Sequence, residues 1–422
     1  MKTVKSAPSP STPDLSVEQV QALLRQKILP ITESETIGLH KALDRVLAQD
    51  VISPISVPPH DNSAMDGYAF DGACLAQGGR IALTVAGTAL AGKAWAQSLN
   101  AGECVKIMTG AIMPAGLDTV VPLELTERDG DTVCFDGSKL SKGANRRQKG
   151  EDLMAGQSAL SAGQRVTPAA LGLLASLGLE NIRVFRRLRV AYFSTGDEIL
   201  SLGEAPREGA VYDSNRFTLT GLLARLGIEV IDMGVVPDQP AAMQAAFERA
   251  TRETDAIVTS GGVSMGDADH TRTIMKQLGQ VDFWRIAMRP GRPMAFGQLG
   301  SVAGNGAWLF GLPGNPVAAM VTFLVFVRPA LQRLMGCKAA APVLLRARCN
   351  EALRKRPGRS EYLRGIVQPD AQGQLSVRTT GPQGSGMLNS MVQANGLIAL
   401  HHDQGQTNAG DMVDVMMVEG VI

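Results

Sequence analysis

The segment Arg189-Val-Ala-Tyr-Phe-Ser-Thr-Gly-Asp-Glu198 (RVAYFSTGDE) decides the fold class of this chain. A short apolar run ends in a polar loop that contains glycine, and the same order recurs further along. Alternation of strand, loop and helix is typical of a three-layer α/β domain with a mainly parallel sheet. We predict such a domain over residues 181–336, with strands at 189–193, 229–233, 255–259 and 308–310 and helices at 216–226, 241–250, 271–278 and 317–334.

The sequence on either side of this domain has a different pattern of apolar residues and glycines. Helical spacing of apolar residues over 15–50 and 150–180 predicts a discontinuous helical linker domain. Residues 51–149 consist of short apolar runs broken by glycine, which indicates an inserted small β-rich domain. Alternating segments in 341–422 predict a C-terminal β-barrel-like domain. Residues 1–14, rich in serine and proline, are predicted to be a disordered leader. The predicted fold class is therefore multidomain, α/β plus β.

Composition limits the partners that the chain could bind. The 422 residues carry 41 Lys and Arg against 40 Asp and Glu, so the net charge is +1. No overall field attracts nucleic acid, and any preference for anions must come from local clusters. The longest mainly apolar run, Val317–Val327, is too short to span a bilayer, so no membrane association is expected. Five cysteines without a close pair favour a reducing cytoplasm over a disulfide framework.

The loops after the predicted strands carry most of the chemistry, because ligands of an open α/β sheet bind at the carboxyl ends of its strands. Residues 194–198 (STGDE) offer hydroxyls, a glycine amide and two carboxylates, although a capped turn would account for the same residues. Residues 260–269 (SGGVSMGDAD) hold three glycines, two serines and two aspartates, which is more than a tight turn needs. Their backbone amides could approach an anion at a helix start.

Arginine and proline mark a second pair of loops, RPGRP at 289–293 and LPGNP at 312–316. Pro316 suits the first turn of the long helix that follows, since proline lacks an amide hydrogen. The amides of that helix start, together with Arg285, Arg289 and Arg292, form a candidate oxyanion pocket. Taken singly, each arginine would also fit a solvated surface position.

Two polar clusters lie in the predicted β-rich domain. Residues 61–68 (DNSAMDGY) concentrate two carboxylates, an amide and two hydroxyls, which suggests a loop that binds a ligand or another chain, or else an ordinary turn. Residues 139–149 contain five basic side chains followed by Glu151 and Asp152. They are either a solvated linker or a patch that steers phosphate toward the acidic loops.

Several common signals are missing. Gly87–Ala94 nearly matches a P-loop, but Ala94 lacks the hydroxyl that would hold magnesium. No dinucleotide fingerprint follows the 189–193 strand, and the histidines and cysteines lack the spacing of a zinc site. Carboxylates, amides and arginines remain, without an obvious nucleophile. They point to Mg²⁺-assisted cleavage of a phosphate-containing substrate beside an oxyanion site.

The polar motifs occur in an order that resembles one family. The resemblance is to the molybdopterin molybdenumtransferases, which insert molybdenum into molybdopterin, and to the E domain of gephyrin. It covers essentially the whole chain from about residue 16. The matching motifs are DNSAMDGYA (61–69), MTGA (108–111), GED (150–152), STGDE (194–198), YDSN (212–215), SGGVSMGDAD (260–269) and LPGNP (312–316).

The resemblance implies an elongated homodimer of four-domain subunits. Its active cleft would combine the α/β and C-terminal domains of one chain with the small β domain of the other. In the implied reaction, adenylylated molybdopterin and molybdate react with Mg²⁺ as cofactor. The pyrophosphate bond is hydrolysed, the metal enters the dithiolene and AMP leaves. Contacts with other cofactor-biosynthesis proteins and molybdoenzyme chaperones are a further expectation.

The resemblance also implies the residues of the site. The catalytic set is Asp66, Thr109, Asp152, Glu198, Asp238 and Asp269, of which Glu198, Asp238 and Asp269 are the metal ligands. The molybdate-binding set is Arg285, Arg289, Arg292, Arg364 and Ser385. The substrate-binding set is Ser194, Thr195, Gly196, Asp213, Ser214, Asn215, Ser260, Gly261, Gly262, Val263, Ser264, Pro313, Gly314 and Asn315.

The chain departs from the family pattern at a few positions. Arginine stands at 285, 289 and 292, where lysine is common, so a planar fork replaces a point donor. Ala318 stands where a serine often follows the LPGNP turn. Two other functions remain possible from the sequence. One is molybdopterin adenylyltransferase, which needs neither the inserted domain nor the barrel, and the other is a non-catalytic dimeric scaffold of the gephyrin type.

Overall fold

The computed structural model describes residues 14–262, 269–300, 306–338, 342–418 and 420–422. The chain divides into two compact units. The first consists of the residues up to Glu35, Asp44–Val46 and Val184–Ile422, and the second of Thr36–Leu43 and Leu47–Arg183. The first unit contains the α/β domain and the C-terminal domain, and the second contains the β-rich domain. The predicted leader lies outside the described residues except for Asp14.

A six-stranded sheet forms the centre of the α/β domain. The first four strands in the sheet order are parallel, as predicted, and the last two are antiparallel. The parallel strands at its centre are apolar and almost fully buried, which is expected where helices cover both faces. The order across the sheet is Glu229–Val236, Arg189–Thr195, Ala256–Ser260, Ala307–Leu312, Pro293–Leu299 and Gly279–Arg285.

Helices cover both faces of this sheet, which confirms the three-layer architecture. Strand residues alternate between two apolar clusters, with Val190 and Tyr192 in one and Ala191 and Phe193 in the other. The first cluster includes residues of the helices Val17–Lys27, Ser214–Arg225 and Pro316–Leu334. The second includes residues of the helices Pro240–Glu253 and Asp269–Leu278.

The two antiparallel strands, Gly279–Arg285 and Pro293–Leu299, were not among the predicted elements. They form a hairpin whose backbones approach closely at two glycines. A Cβ atom at Gly279 or Gly297 would lie 2.1 Å from the carbonyl oxygen of the opposite strand. This hairpin carries the loop that holds Arg289 and Arg292, so it supplies one wall of the site described below.

The helix Pro316–Leu334 is α-helical at both ends and has a π-helical turn at Phe323–Val327. It is long and apolar enough to cross a membrane by length and composition, but 78% of that stretch is buried inside the protein. Its apolar character is therefore accounted for by its place in the core between the sheet and the N-terminal helix.

The C-terminal domain is a closed five-stranded barrel, as the sequence predicted. It closes because Ser360–Pro369 pairs on one side with Leu375–Thr379 and on the other with Gly396–Leu400. The remaining strands are Leu344–Cys349 and Met412–Met417, and a short helix spans Leu388–Gln393. A two-residue strand of the α/β domain, Met288–Arg289, pairs in parallel with Ser360 and Glu361 of the barrel.

The predicted helical linker is only partly helical. Ser16 and Gln19 form a capping box that begins the helix Val17–Lys27, and this helix packs into the core of the first unit. The later part of the predicted 15–50 stretch contains only the 3₁₀ turn Leu39–Lys41. Asp44 has a φ of 63°, which no α-helix accommodates, so the helical spacing there was misleading. Pro168–Ser176 is helical, as predicted.

The β-rich domain of the second unit is built on its own six-stranded sheet. The sheet is mixed, since Arg80–Ala89 pairs in parallel with Glu103–Ile107 and antiparallel with Thr132–Asp136. Two small two-stranded pairings join Asn62–Ser63 to Arg146–Arg147 and Val51–Ile52 to Ser158–Leu160. The order of the six strands is Thr119–Pro122, Gly67–Phe70, Glu103–Ile107, Arg80–Ala89, Thr132–Asp136 and Thr126–Asp129.

Candidate active site

A cavity of about 800 Å³ opens in the first unit between the carboxyl edge of the sheet and the barrel. It is lined by two carboxylates, Glu198 and Asp238, which follow strands at one end of the sheet order, and by three guanidinium groups, Arg289 and Arg292 from the hairpin loop at the other end and Arg359 from the barrel. The other lining residues with chemistry are Thr195, Gly196, Gly261, Gly262, Thr271, Pro313, Gly314, Asn315, Gln383 and Ser385. The cavity therefore brings together residues from all four of the loops that the sequence singled out.

Ser194 and Ser260 lie beneath the cavity and are not among its lining residues. Both are almost fully buried, and both hydroxyls share a hydrogen bond with the hydroxyl of Tyr192, at 2.8 and 2.7 Å. Burial raises the pKa of Tyr192, so the phenol stays protonated. This hydroxyl cluster ties the ends of two neighbouring strands together. We assign Ser194 and Ser260 to positioning the loops that follow them.

Thr195 lies at the cavity surface and is held by the glycine loop. A Cβ atom at Gly261 would lie 2.4 Å from the Thr195 carbonyl oxygen, and both Gly261 and Gly262 have positive φ. The Thr195 hydroxyl is buried and has no hydrogen-bond partner among the described residues. A buried unpaired hydroxyl is costly, so this group is available to a ligand. Val263 and Ser264 lie outside the described residues.

Glu198 is held close to the backbone of Gly196. The carboxylate oxygens of Glu198 would lie 2.5 and 2.8 Å from a Cβ atom at Gly196, whose φ is 144°. A φ of 144° is one that glycine adopts far more readily than other residues. The Asp197 carboxylate in turn accepts the Asp238 backbone amide at 3.4 Å, which links this loop to the next strand end.

The donor set of the sheet side fits Mg²⁺. The described residues contain no group of three acidic, histidine or cysteine side chains that could enclose a metal. Mg²⁺, however, usually takes one or two carboxylates and completes its shell with water and substrate phosphate. Glu198 and Asp238 face the same cavity and supply such a pair. Asp269 begins a helix at this edge, and its side chain is not among the described groups.

The arginines predicted to bind an oxyanion differ in their surroundings. Arg289 is exposed in the cavity, and strand pairing with Glu361 fixes its backbone. Arg285 and Arg292 both form ion pairs with the carboxylate of Asp14, at 3.0 and 2.7 Å. Arg292 lines the cavity, whereas Arg285 is absent from its lining. The three guanidinium groups therefore do not face one ligand in the same way.

Arg359 also lines the cavity, and the sequence reasoning missed it. Its Nε donates to the Glu361 carboxylate at 2.8 Å, which aims the guanidinium along the barrel edge. Its sequence signal is Arg356-Pro-Gly-Arg359 (RPGR), which repeats the first four residues of the loop at 289–293 and was not singled out. Only the strand pairing of Met288–Arg289 with the barrel brings Arg359 beside the other arginines.

Arg364 is fully buried and supports the barrel loop at the cavity. Its guanidinium donates to the Ser390 hydroxyl at 3.0 Å and to the Gly384 carbonyl oxygen at 2.9 Å. Burial, and after it the nearby charge of Arg289, lower the pKa of Arg364. Gly384 and Ser385 line the cavity above it. Direct binding of molybdate by Arg364 stays a prediction, and its observed contacts are those of a group that positions the loop.

The start of the long helix is fixed from two sides. The Asn215 side-chain amide donates to the Gly314 carbonyl oxygen at 2.7 Å, and the Val317 backbone amide donates to the Ser385 carbonyl oxygen at 3.0 Å. Asp213 caps the helix that begins at Ser214 by accepting the Arg216 amide. Asp213, Ser214 and Asn215 are not cavity-lining residues. Asn215 acts on the cavity through the Pro313–Asn315 turn.

The predicted site residues of the β-rich domain form a separate cluster in the second unit. The Asp66 carboxylate accepts both the backbone amide and the hydroxyl of Thr109, each at 2.7 Å. These two hydrogen bonds, the amide first, hold the pKa of Asp66 below its ordinary value. Asp152 is in the same unit, and its amide donates to the Val57 carbonyl oxygen; no contact with Asp66 or Thr109 is seen among the described residues. The structure thus brings Asp66 and Thr109 into direct contact.

The fold and the site define a multidomain protein with a cleft lined by carboxylates and arginines at the carboxyl edge of a three-layer α/β domain. Three family models match it in order. They are the MoeA N-terminal region (domain I and II) at residues 15–178, the probable molybdopterin binding domain at 191–333 and the MoeA C-terminal region (domain IV) at 346–418.

Known proteins of the same kind are similar over nearly the whole chain. A molybdopterin molybdenumtransferase of Haemophilus influenzae is 40% identical over 95% of this chain and 98% of its own length. A molybdopterin molybdenumtransferase 2 of Mycobacterium tuberculosis is 34% identical over 94% and 97%. The crystal structure of the molybdopterin biosynthesis moeA protein from Pyrococcus horikoshii OT3 matches with a TM-score of 0.82 and 25% identity, covering 96% and 99%. The chain belongs to the MoeA family of molybdopterin molybdenumtransferases.

The contact between Gly196 and Glu198 predicts a defect in metal binding. In Gly196→Ala the new methyl group would occupy the space of the Glu198 carboxylate. We expect the affinity for Mg²⁺, measured by titration calorimetry, to fall by about tenfold. Gly209→Ala is the matched control, since Gly209 also has positive φ but nothing within 4 Å of the added atom. Equal Mg²⁺ affinities in the two variants would contradict the role given to Glu198.

The hydrogen bonds of Thr109 predict a change in the titration of Asp66. Thr109→Val removes the hydroxyl donor but keeps the backbone amide, so the pKa of Asp66 should rise part of the way to its ordinary value. In the wild type these hydrogen bonds keep the Asp66 carboxylate ionised to a lower pH than usual. In the variant the carboxylate should protonate at a higher pH than in the wild type. Carboxyl carbon NMR checks this, with Thr126→Val as control. An unchanged Asp66 titration in Thr109→Val would count against the hydrogen bond.

Proposed function

We propose that this protein transfers molybdenum from molybdate to adenylylated molybdopterin and releases AMP. The observation that carries the proposal is the pairing of a carboxylate wall with an arginine wall across one cavity. A substrate with a pyrophosphate needs a divalent cation, and an incoming oxyanion needs fixed positive charge. The cavity opens at the carboxyl ends of the strands of the segment matched by the molybdopterin-binding family model, where such domains bind ligands.

The proposed reaction couples two processes, hydrolysis of the pyrophosphate and insertion of molybdenum into the dithiolene. Water attacks phosphorus, the pyrophosphate P–O bond breaks, AMP leaves and the pterin keeps its terminal phosphate. Two Mo–S bonds form as the dithiolene thiols displace one oxygen of molybdate, which departs as water with the two thiol protons. When bound, Mg²⁺ would withdraw charge from the phosphate oxygens. Glu198 and Asp238 would hold it, and Asp269 is proposed with them.

Each side of the cavity has a separate task in this reaction. Arg289, Arg292 and Arg359 would balance the charge of molybdate until the sulfurs take the metal. Thr195, Gly261 and Gly262 would receive the phosphate or the nucleotide through the free hydroxyl and backbone amides. Ser385 and Asn315 lie between the two sides and would orient the pterin. The chain's residues bind and orient the substrates throughout.

An AMP-release assay tests the reaction. Purified protein should release AMP from adenylylated molybdopterin only when molybdate and Mg²⁺ are both present. Asp238→Asn should lower the rate by about 100-fold, because one carboxylate of the sheet side is lost. Asp282→Asn is the control, since this exposed carboxylate pairs with Lys27 outside the cavity.

Other outcomes of this assay would replace the proposal. Release of pyrophosphate from ATP with unmodified molybdopterin would indicate the adenylyltransferase reaction. Neither activity, in a protein that remains folded and dimeric, would indicate a scaffold. Near wild-type AMP release by Asp238→Asn would remove Asp238 from the site while leaving the reaction intact.

We also propose that the protein is a homodimer that works in the cytoplasm. An exposed apolar patch on the first unit, formed by Leu202, Val211, Tyr212 and Phe217, supports a contact with a second copy. The five cysteines, all of them among the described residues, form no disulfide, which fits a reducing compartment. In such a dimer Asp66, Thr109 and Asp152 of one chain would complete the cavity of the other chain.

Complementation tests the shared cavity. Asp66→Asn and Asp238→Asn should each be inactive alone, because every cavity would lack one of the two carboxylates. Mixed after dissociation and reassociation, the two variants should regain about a quarter of wild-type AMP release per chain, because half of the dimers are heterodimers and one of their two cavities is intact. Mixtures that stay inactive, although mass spectrometry shows heterodimers, would place Asp66 and Asp238 in the same chain's site or Asp66 outside it.

A further inference from the structure

Asp14 lies where a bound oxyanion would be expected. Its two carboxylate oxygens are divided between two arginines, with Oδ1 3.0 Å from Nε of Arg285 and Oδ2 2.7 Å from Nη2 of Arg292. Arg292 Nε also donates to Oδ2 at 3.0 Å. A planar anion held by two guanidinium groups in this way imitates the contacts that arginines make with tetrahedral oxyanions.

The backbone holds Asp14 in this place. The Leu15 amide donates to the Arg285 carbonyl oxygen at 2.8 Å, and the Ala287 amide donates to the Leu15 carbonyl oxygen at 2.8 Å. Directly after it, the capped helix Val17–Lys27 is anchored in the core. The Asp14 carboxylate is therefore a fixed part of the arginine wall, although its side chain remains 22% exposed.

The ion pairs divide the arginine wall into two parts. Arg292 reaches the cavity with two of its donors already committed to Asp14, and Arg285 is held behind it. The side chain of Arg289, next to them in the chain, has no hydrogen bond or ion pair with another described residue, although its backbone pairs with the barrel. A dianion entering the cavity therefore meets one unpaired guanidinium, that of Arg289, and two that carboxylates partly neutralise, Arg292 by Asp14 and Arg359 by Glu361.

We propose that Asp14 is an internal counter-anion that weakens the binding of small inorganic oxyanions to this wall. The inference rests on the proposed function, because it takes the arginine wall as the molybdate site. A fixed negative charge lowers the attraction of every dianion to a similar degree. Without it, abundant dianions such as sulfate would occupy the arginines. With it, a lone oxyanion binds weakly and additional contacts must come from the pterin substrate.

The test is the affinity of purified full-length protein for molybdate and for sulfate, measured by titration calorimetry at fixed ionic strength. Asp14→Asn keeps the size of the side chain and removes its charge. We expect both dissociation constants to fall by about five- to tenfold, with their ratio unchanged. Glu18→Gln, an exposed first-turn carboxylate of the same helix, is the control and should leave both constants unchanged.

The outcomes separate this inference from the proposed function. If Asp14→Asn only lowers the melting temperature and leaves both constants unchanged, Asp14 is structural and the inference is wrong. Weaker molybdate binding in Asp14→Asn would also overturn it, since Asp14 would then be organising the arginines for the ligand. Arg289→Gln tests the wall itself, because Arg289 does not contact Asp14. If that variant binds molybdate like the wild type, the assignment of the arginine wall fails, whatever Asp14 does.

Discussion

The candidate site depends on one short pairing between the α/β domain and the barrel. Met288 and Arg289 run parallel to Ser360 and Glu361, and the Ser360 amide donates to the Ala287 carbonyl oxygen at 2.8 Å. This pairing fixes the backbone of Arg289 at the cavity and brings Arg359 beside it. A second hydrogen bond, from the Val317 amide to the Ser385 carbonyl oxygen, joins the barrel loop to the helix start. Since both contacts join backbone groups, the backbone positions from which the arginines extend do not depend on contacts between side chains.

The sheet side is made rigid by a different means. Three buried hydroxyls join the ends of two parallel strands, and two glycines of positive φ pack against the Thr195 backbone. These contacts leave almost no freedom for the loops that carry Thr195 and Glu198. A cavity that must place a phosphate chain and an oxyanion at once gains from such loops, because small displacements of reacting groups are costly in rate.

Much of the fold was predictable because its signals are local. The strand Arg189–Thr195 and the helix Pro240–Glu253 follow from apolar periodicity within a few residues. The hairpin was missed because Gly279, Asp282 and Gln298 interrupt its apolar pattern, while its stability comes from the sheet edge that it joins. The direction of the Ser194 side chain was predictable in principle. It lies two residues after Tyr192 and so points to the same face of the strand, away from Thr195.

The site was predictable only in part, because its members meet through long-range pairing. The motifs identified Thr195 and Glu198, which lie at the end of a strand and just after it, and Arg289, which lies in the hairpin loop. Nothing in the sequence showed that Asp14 would neutralise Arg285 and Arg292, since a lone aspartate next to a helix cap reads as part of the cap. Arg359 was missed although RPGR at 356–359 repeats the motif at 289–292, because only the pairing of Met288–Arg289 with the barrel brings the two loops to one cavity.

The charges across the cavity explain why both walls are needed together. A carboxylate wall alone would repel a pyrophosphate, and it becomes attractive only when a divalent cation stands between them. An arginine wall alone would hold any dianion, and it would hold the pterin phosphates as readily as molybdate. In the proposed reaction, Glu198 and Asp238 with Mg²⁺ would attract the pyrophosphate, and Arg289 and Arg359 would attract molybdate. This separation of charge would order the two substrates before any bond changes.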